Sequence, residues 1–395
     1  SDPSAAVLIL VKQQHGGTLQ GFTFRNLSWT NAPQVGIDVA KVDGSAVYRT
    51  TIRDVEIEGC EWFSIRLSNA HYATLEGIGV RVPKGDPDEP ASKTRAIGVE
   101  DGSSNVTLND VEVTGLGIGW GRDAVGLLVA DSYDVDVTEL LVKDAVVSHM
   151  DGYGASSVTG VEVSEVSGLT MSDVTIRGLH SQVLSFGTVA AAHGLSIQGC
   201  TNCALTNVAV SDIVASSYLV SQGGSDSSTQ GADAVGVFLQ DAKQLTITGL
   251  NVLDILGGNG YVGGQPHWRP DVIGGSAYGV LVGSSDGLDL SDVSVLSVLS
   301  GADRHSALGH VPEESAGLAW PAKGDSAGLY ISATSNLAVD HLAVSGIGVD
   351  TLPLTTWNLG GAACVQMDNA DAVSVNHLSC DDVGVDVSDD PDRTN

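Results

Sequence analysis

The chain has 395 residues, of which 42% are hydrophobic, with 49 Gly and 11 Pro; that is enough apolar material for a long core, and it excludes a disordered chain. Lys and Arg number 18 against 48 Asp and Glu, a formal net charge of −30, which excludes nucleic acid and anionic membrane surfaces as partners, because both need a basic face. No run of 18 apolar residues occurs, so no membrane-spanning helix is expected.

In chain order, the elements are short strands separated by small turn residues. The first, "AAVLILVKQQ" from Ala5, is strand-like at once. No secretory leader precedes it in this numbering, and one removed earlier is compatible with the pattern. Degenerate copies of one phrase start near Ala5, Val35, Phe63 and Ala124. Clearer copies read "AIGVEDGSSNVTLNDVEVTGLGIG" from Ala96, "VTGVEVSEVSGLTMSDVTIRGLHS" from Val158 and "AHGLSIQGCTNCALTNVAVSDIV" from Ala192. The phrase returns from Ala234, from Ser276 to Gly301, from Ser326 and from Ala362. Gly36, Gly98, Gly126, Gly160, Gly194, Gly236, Gly279 and Gly328 anchor the copies. There are about eleven copies, each too small to bury its apolar face except against a neighbour.

Each copy reads as three strands. In the copy from Ala96 these are 97–100, 106–108 and 111–113. Period-2 alternation points Val99, Val111 and Val113 inward and Glu100 and Glu112 outward. A corner of two residues, Asn109–Asp110, bends the chain without room for a helical crossover. Coil stacked on coil then makes parallel sheets, with right-handed crossovers. The corner column reads Asn26, Asp54, Gly77, Asp110, Leu140, Asp173, Asn207, Gly249, Asp292, His341 and His377. Mostly Asx or Gly fits a left-handed bend, and Leu140 departs from it.

These repeats, of the form G-I-x-V-x-x-S-x-N-V-x-I-x-N-x-x-V, resemble the right-handed parallel β-helix (pectate-lyase-like) superfamily over roughly 5–387. The expected fold class is therefore all-β. Residues 1–395 are expected to form one solenoid domain of about eleven coils, on the order of 50 Å long, with long loops on one flank.

The connection from the third strand back to the first varies in length, and the longest stretches follow Val214, Leu256 and Ser300. Insertions at one corner gather on one flank, often the binding flank. All six Trp (Trp29, Trp62, Trp120, Trp268, Trp320 and Trp357) lie in or beside it, as do His149, His180, His267, His305 and His310. Trp side chains there either pin long loops to the sheet or offer stacking platforms for sugar rings. The candidate ligand-binding residues are Trp120, Arg122, His149, Asp151, Trp268 and Trp320.

In the lyases and hydrolases of that superfamily the cleft lies along the first sheet. Its outward column is expected to read Asp38, Arg66, Glu100, Leu128, Glu162, Ser196, Phe238, Leu281, Tyr330 and Gln366. Asp38, Arg66 and Glu100 would stack with the two carboxylates about 9–10 Å apart. That is near the spacing that admits a water in an inverting glycosidase; a surface ion network is the plain alternative. The superfamily's hydrolase signatures NTD, GHG and RIK are absent, and "DD" occurs only at Asp381–Asp382 and Asp389–Asp390. No zinc motif, phosphate loop or nucleophile elbow appears. No cofactor is called for, although the acidic surface leaves room for Ca2+.

Five Cys occur. "CTNC" at Cys200–Cys203 sits in a turn, where a redox pair or half a metal site is less apt than a local disulfide. Cys364 and Cys380 flank one rung and can pair, leaving Cys60 over. Two functional readings result. One is an extracellular or cell-surface structural or adhesive module, carbohydrate-binding through its loop flank. The alternative is a secreted polysaccharide lyase or glycoside hydrolase. A polysaccharide or surface glycan is the expected partner. Self-association, or a neighbouring domain, is expected at the end coils, whose backbone groups would otherwise stand unpaired.

Overall fold

The computed structural model describes residues 7–12, 17–20, 23–24, 35–42, 50–58, 60, 62–82, 94–119, 123–149, 157–183, 191–216, 229–258, 260–262, 272–301, 303–305, 324–349 and 361–384. Among them there is no helix. The main strands alternate between two large sheets, two small sheets pair Thr229–Gln230 with Val272–Ile273 and Gly260–Val262 with Asp303–His305, and every pairing is parallel. The first sheet runs Val7–Lys12, Val35–Val42, Phe63–Ala70, Thr94–Glu100, Ala124–Ala130, Val158–Ser164, Ala192–Gln198, Ala234–Gln240, Ala277–Gly283, Ser326–Ser332 and Ala362–Asp368, each strand bonded to the next. The second runs in the same order from Gly17–Gln20 to Asp371–Val383. The fold is a parallel β-helix.

Three strands per copy was one too many. Residues 276–301 form Ala277–Gly283 and one long strand, Asp286–Ser300. The expected second and third strands are continuous because a single left-handed residue bends the chain while the ladder bonds run on either side. The bend falls on Asp54, Gly77, Asp110, Glu139, Asp173, Asn207, Gly249, Asp292, His341 and His377, with φ between 50° and 71°. Asn26 lies outside the described residues. Leu140 is not the bend: it pairs with Val111 and Val174 and points into the core. Its neighbour Glu139 takes the left-handed position, at φ 55°. Glu lacks the Asx preference for that region, which hid it from the pattern. A second bend column reads Gly115, Asp144, Gly178, Asp212, Asp254, Ser297, Gly346 and Asp382.

The register corrects one anchor. Ile37, Ile65, Ile97 and Leu127 align across four coils. The inner glycine column therefore reads Gly36, Ser64, Ala96, Gly126 and onward to Gly328, and Gly98 stands two places further along its strand. Glycine is demanded there by close approach. A Cβ on Gly236 would lie 2.5 Å from Val252 Cγ1 and 2.6 Å from the Gly279 carbonyl oxygen. Each such glycine faces inward, as does the residue after it, and rests on a valine or isoleucine column of the second sheet: Val142, Ile176, Val210, Val252, Val295 and Val344. In the last coil Cys364 stands in the glycine column and Cys380 aligns with Val344. A disulfide joins them across the core, Cα to Cα 6.1 Å. Around these columns one continuous apolar cluster fills the interior, from Ile37 to Cys364.

Candidate functional site on the first sheet

Because the glycine and the next residue both face in, the residue before the glycine faces out. The first sheet thus shows three outward columns where the alternation argument had used one. The column before the glycine reads Phe63, Arg95, Val125, Thr159, His193, Val235, Tyr278 and Ala327. The middle one is the expected column with Gly98 in place of Glu100. The third holds Ala40, Ser68, Glu100, Ser164, Gln198 and Gln240.

Glu100 is thus two residues further along its strand than expected. A two-residue slip keeps a side chain on the same face, so alternation could not reveal it. Gly98 is small for a separate reason: the Phe63 ring lies over it, with Cδ1 3.0 Å from where a Cβ would stand. Arg66 Nε donates to Glu100 Oε1. Arg66 Nη2 and Ser68 Oγ both donate to Asp101 Oδ2, at 3.2 and 2.7 Å. Burial alone would lower the Arg66 pKa. The hydrogen bond and charge of Glu100, with Asp38 and Asp101, outweigh it and hold the guanidinium above its ordinary value. Arg66 is thus ion-paired with Glu100 and with Asp101, and the charge of Asp38 acts on it as well.

A groove of about 220 Å³ opens further along the same face. Arg95, Asp123, Val125, Ser157, Thr159, Glu162, His193, Ser196 and Gln198 line it. Arg95 lies over the Phe63 ring, 5.6 Å from its centroid, and no described carboxylate forms an ion pair with it. Asp123 Oδ1 accepts from Ser157 N at 3.0 Å and Ser157 Oγ at 2.8 Å, tying one coil to the next. His193 stacks on Phe238, centroids 5.9 Å apart and planes at 26°. Burial pushes the His193 pKa down to about 4, so the imidazole is neutral at pH 7. Beyond Phe238 the face carries Tyr278 and Tyr330, 5.4 Å apart. Beside them burial raises the Asp233 pKa, against the opposing bond from Ser276 N at 2.7 Å.

His193 and Arg95 were missed because only one outward column was read. The residue ahead of "G-L-S-I" in "AHGLSIQ" was the available signal. Trp120, Arg122, Asp151, Trp268 and Trp320 lie outside the described residues, as do Trp29 and Trp357. His149 ends the strand Tyr133–His149, its backbone opposite Val183. Trp62 is exposed at the edge of the first sheet, and its carbonyl accepts from Arg95 N at 2.7 Å. Cys200 and Cys203 are disulfide-bonded, Cα to Cα 6.3 Å, but not inside a turn: Cys203 already belongs to the strand Thr201–Val214, opposite Leu245. Burial pushes the Cys60 thiol up to about 12, which makes it inert.

No protein-family model and no curated protein sequence matches the chain. Solved structures that align with it include the periplasmic alginate epimerase AlgG, at 11% identity and a TM-score of 0.32, covering 86% of this chain and 77% of that one. Another is the enzymatically active domain of bacteriophage CBA120 tailspike protein 2, at 11% identity and a TM-score of 0.37, covering 91% and 42%. A third is the A-module of Azotobacter vinelandii mannuronan C-5 epimerase AlgE6, at 12% identity and a TM-score of 0.28, covering 95% and 91%. At these scores no groove residue has a counterpart carried over from them.

Proposed function

We propose that this protein binds a polysaccharide strand along the outward face of its first sheet. The observation that carries the reading is the groove between Phe63 and Phe238. It is a polar trough with one guanidinium, Arg95, not paired to a described carboxylate, bordered by aromatic rings. The half-buried Phe238 ring gives a sugar a flat apolar face, while Arg95, held over the buried Phe63 ring, and Thr159, Ser196 and Gln198 supply hydrogen bonds to hydroxyls or to a uronate carboxylate. On this reading the binding surface lies on the sheet; the loop-flank candidates Trp120, Arg122, Asp151, Trp268 and Trp320 lie outside the described residues. Calorimetric titration with neutral and uronic-acid oligosaccharides tests it. Arg95→Gln and Phe238→Ala should each weaken binding about tenfold or more. Unchanged affinity in both overturns the reading.

A catalytic role is the second reading, favoured by the neutral His193 in the same groove as Glu162. A neutral imidazole can accept a proton from a sugar carbon or a water. New reducing or unsaturated ends from a bound oligosaccharide, lost in His193→Ala with binding retained, would distinguish an enzyme from a binder. The two disulfides fit an oxidising, extracellular setting. Self-association through the end coils belongs to the same reading. Met367, Leu378 and Val383 are 50%, 47% and 37% exposed in the last described coil, and two acidic bodies meet more readily as salt screens them. Light scattering that finds a dispersed monomer at every salt concentration removes that part.

A further inference from the structure

Far from the groove, the bend column ends on an unusual pair. Asp292, His341 and His377 occupy the bend in three successive coils. His tolerates this left-handed position as Asn and Asp do, so the bend admits imidazole without requiring it. His341 and His377 bring two nitrogen bases together: the rings stack with centroids 4.5 Å apart and planes at 12°. Asp340, the residue before His341, faces both. Its Oδ1 is 2.7 Å from His377 Nδ1 and its Oδ2 is 3.1 Å from His341 Nδ1. The bond from His377, with the charges of both imidazoles, holds the Asp340 carboxyl below its ordinary pKa, so it is an anion at neutral pH.

The geometry points to a divalent transition-metal site formed by His341, His377 and Asp340. One atom from each lies within 4.8 Å of the other two. In a tetrahedral zinc site, ligand atoms about 2.1 Å from the metal stand about 3.4 Å from one another. Side chains 58%, 44% and 68% exposed at His341, Asp340 and His377 can make that small adjustment. Two imidazoles with one carboxylate select a borderline ion such as Zn2+, Ni2+ or Co2+ over Ca2+ or Mg2+, which prefer all-oxygen shells. A neutral imidazole carries one proton, so each ring can keep it on Nε2 and offer Nδ1 to the metal by a change of tautomer. Protons compete with the metal for the same nitrogens, so binding weakens as the pH falls. Exposure leaves the remaining coordination positions to water or an outside ligand. The ion would clasp the last described strand of the second sheet, Asp371–Val383, to Ser335–Val349.

Zn2+ alone is the probe. Equilibrium dialysis of the whole chain at pH 7.5 should find one ion bound through this cluster. His341→Ala and His377→Ala should each lower its affinity at least tenfold, with circular dichroism unchanged. His377→Gln serves if the alanine variant does not fold. His180→Ala should leave binding as it was, because among the described residues His180 belongs to no three-ligand cluster and pairs with Asp212 at 3.0 Å. Zn2+ should also slow amide exchange in 371–383. No zinc bound to the parent chain, or zinc bound equally by both histidine variants, overturns the site.

Discussion

The neutral state of His193 sets a pH dependence. Its pKa falls from an ordinary 6.5 to about 4 in the folded chain because burial penalises the charged ring. Between those values the unfolded chain holds a proton that the folded chain refuses. The contribution is therefore whole above pH 6.5 and is lost as the pH drops to 4, by up to about 3 kcal/mol. Denaturant melts at pH 7 and pH 4 should show His193→Gln losing less stability on acidification than the parent. Equal losses would mean that the ring is not held neutral. Gly236 makes a second residue-scale case. Its Cβ would strike Val252 and a backbone oxygen, so Gly236→Ala should cost about 3 kcal/mol. Pairing it with Val252→Ala should restore only part of that, because the carbonyl stays.

At the scale of the element, the bends and the terminal disulfide decide. Ala333 holds a left-handed turn at φ 49°, a conformation that disfavours any residue with a Cβ. Ala333→Gly should stabilise the chain by about 0.5–1 kcal/mol, contrary to the usual cost of glycine in a strand-rich fold. Chemical denaturation reads this directly, and a destabilised variant would refute it. Cys364–Cys380 closes a loop of sequence separation 16, whereas Cys200–Cys203 closes one of 3. Chain entropy then predicts a cost of about 3 kcal/mol for removing the first and less than 2 kcal/mol for the second. Losing the first should raise amide exchange in 371–383, since it replaces the glycine–valine contact that locks the inner coils.

For the whole molecule, charge outweighs local pairing. A net charge of −30 on a solenoid sets acidic side chains against one another in successive coils, as where Asp292 and Asp340 crowd around His341. Raising the salt from about 0.01 M to about 0.15 M shortens the screening length from about 30 Å to about 8 Å. The melting temperature should therefore rise over that range. A flat response would show that the ion pairs of the outward faces, such as Arg66 with Glu100 and Lys143 with Glu112, already balance the repulsion.

The repeat by itself determined the architecture. Short apolar alternations that cannot stand alone, punctuated by Asx and Gly, have few solutions other than stacking. The residues placed at the first bend, Leu140 apart and Asn26 not described, do carry the left-handed backbone. Register was decided only by the tertiary structure. Glycine at Gly98 looked like the inner anchor because glycine is blind to why it is small, whether for a valine beneath it or for a phenylalanine ring above it. That ambiguity moved Glu100 two residues along its strand while leaving it on the same face. The site followed the same logic. Glu162, Ser196 and Phe238 were legible on the outward column. Arg95 and His193 were not, because the two successive inward residues that turn their column outward arise from packing between the sheets and not from period-2 alternation. The imidazole pair likewise became visible only when parallel pairing set His377 beside His341, two residues 36 positions apart in a chain whose coils vary in length.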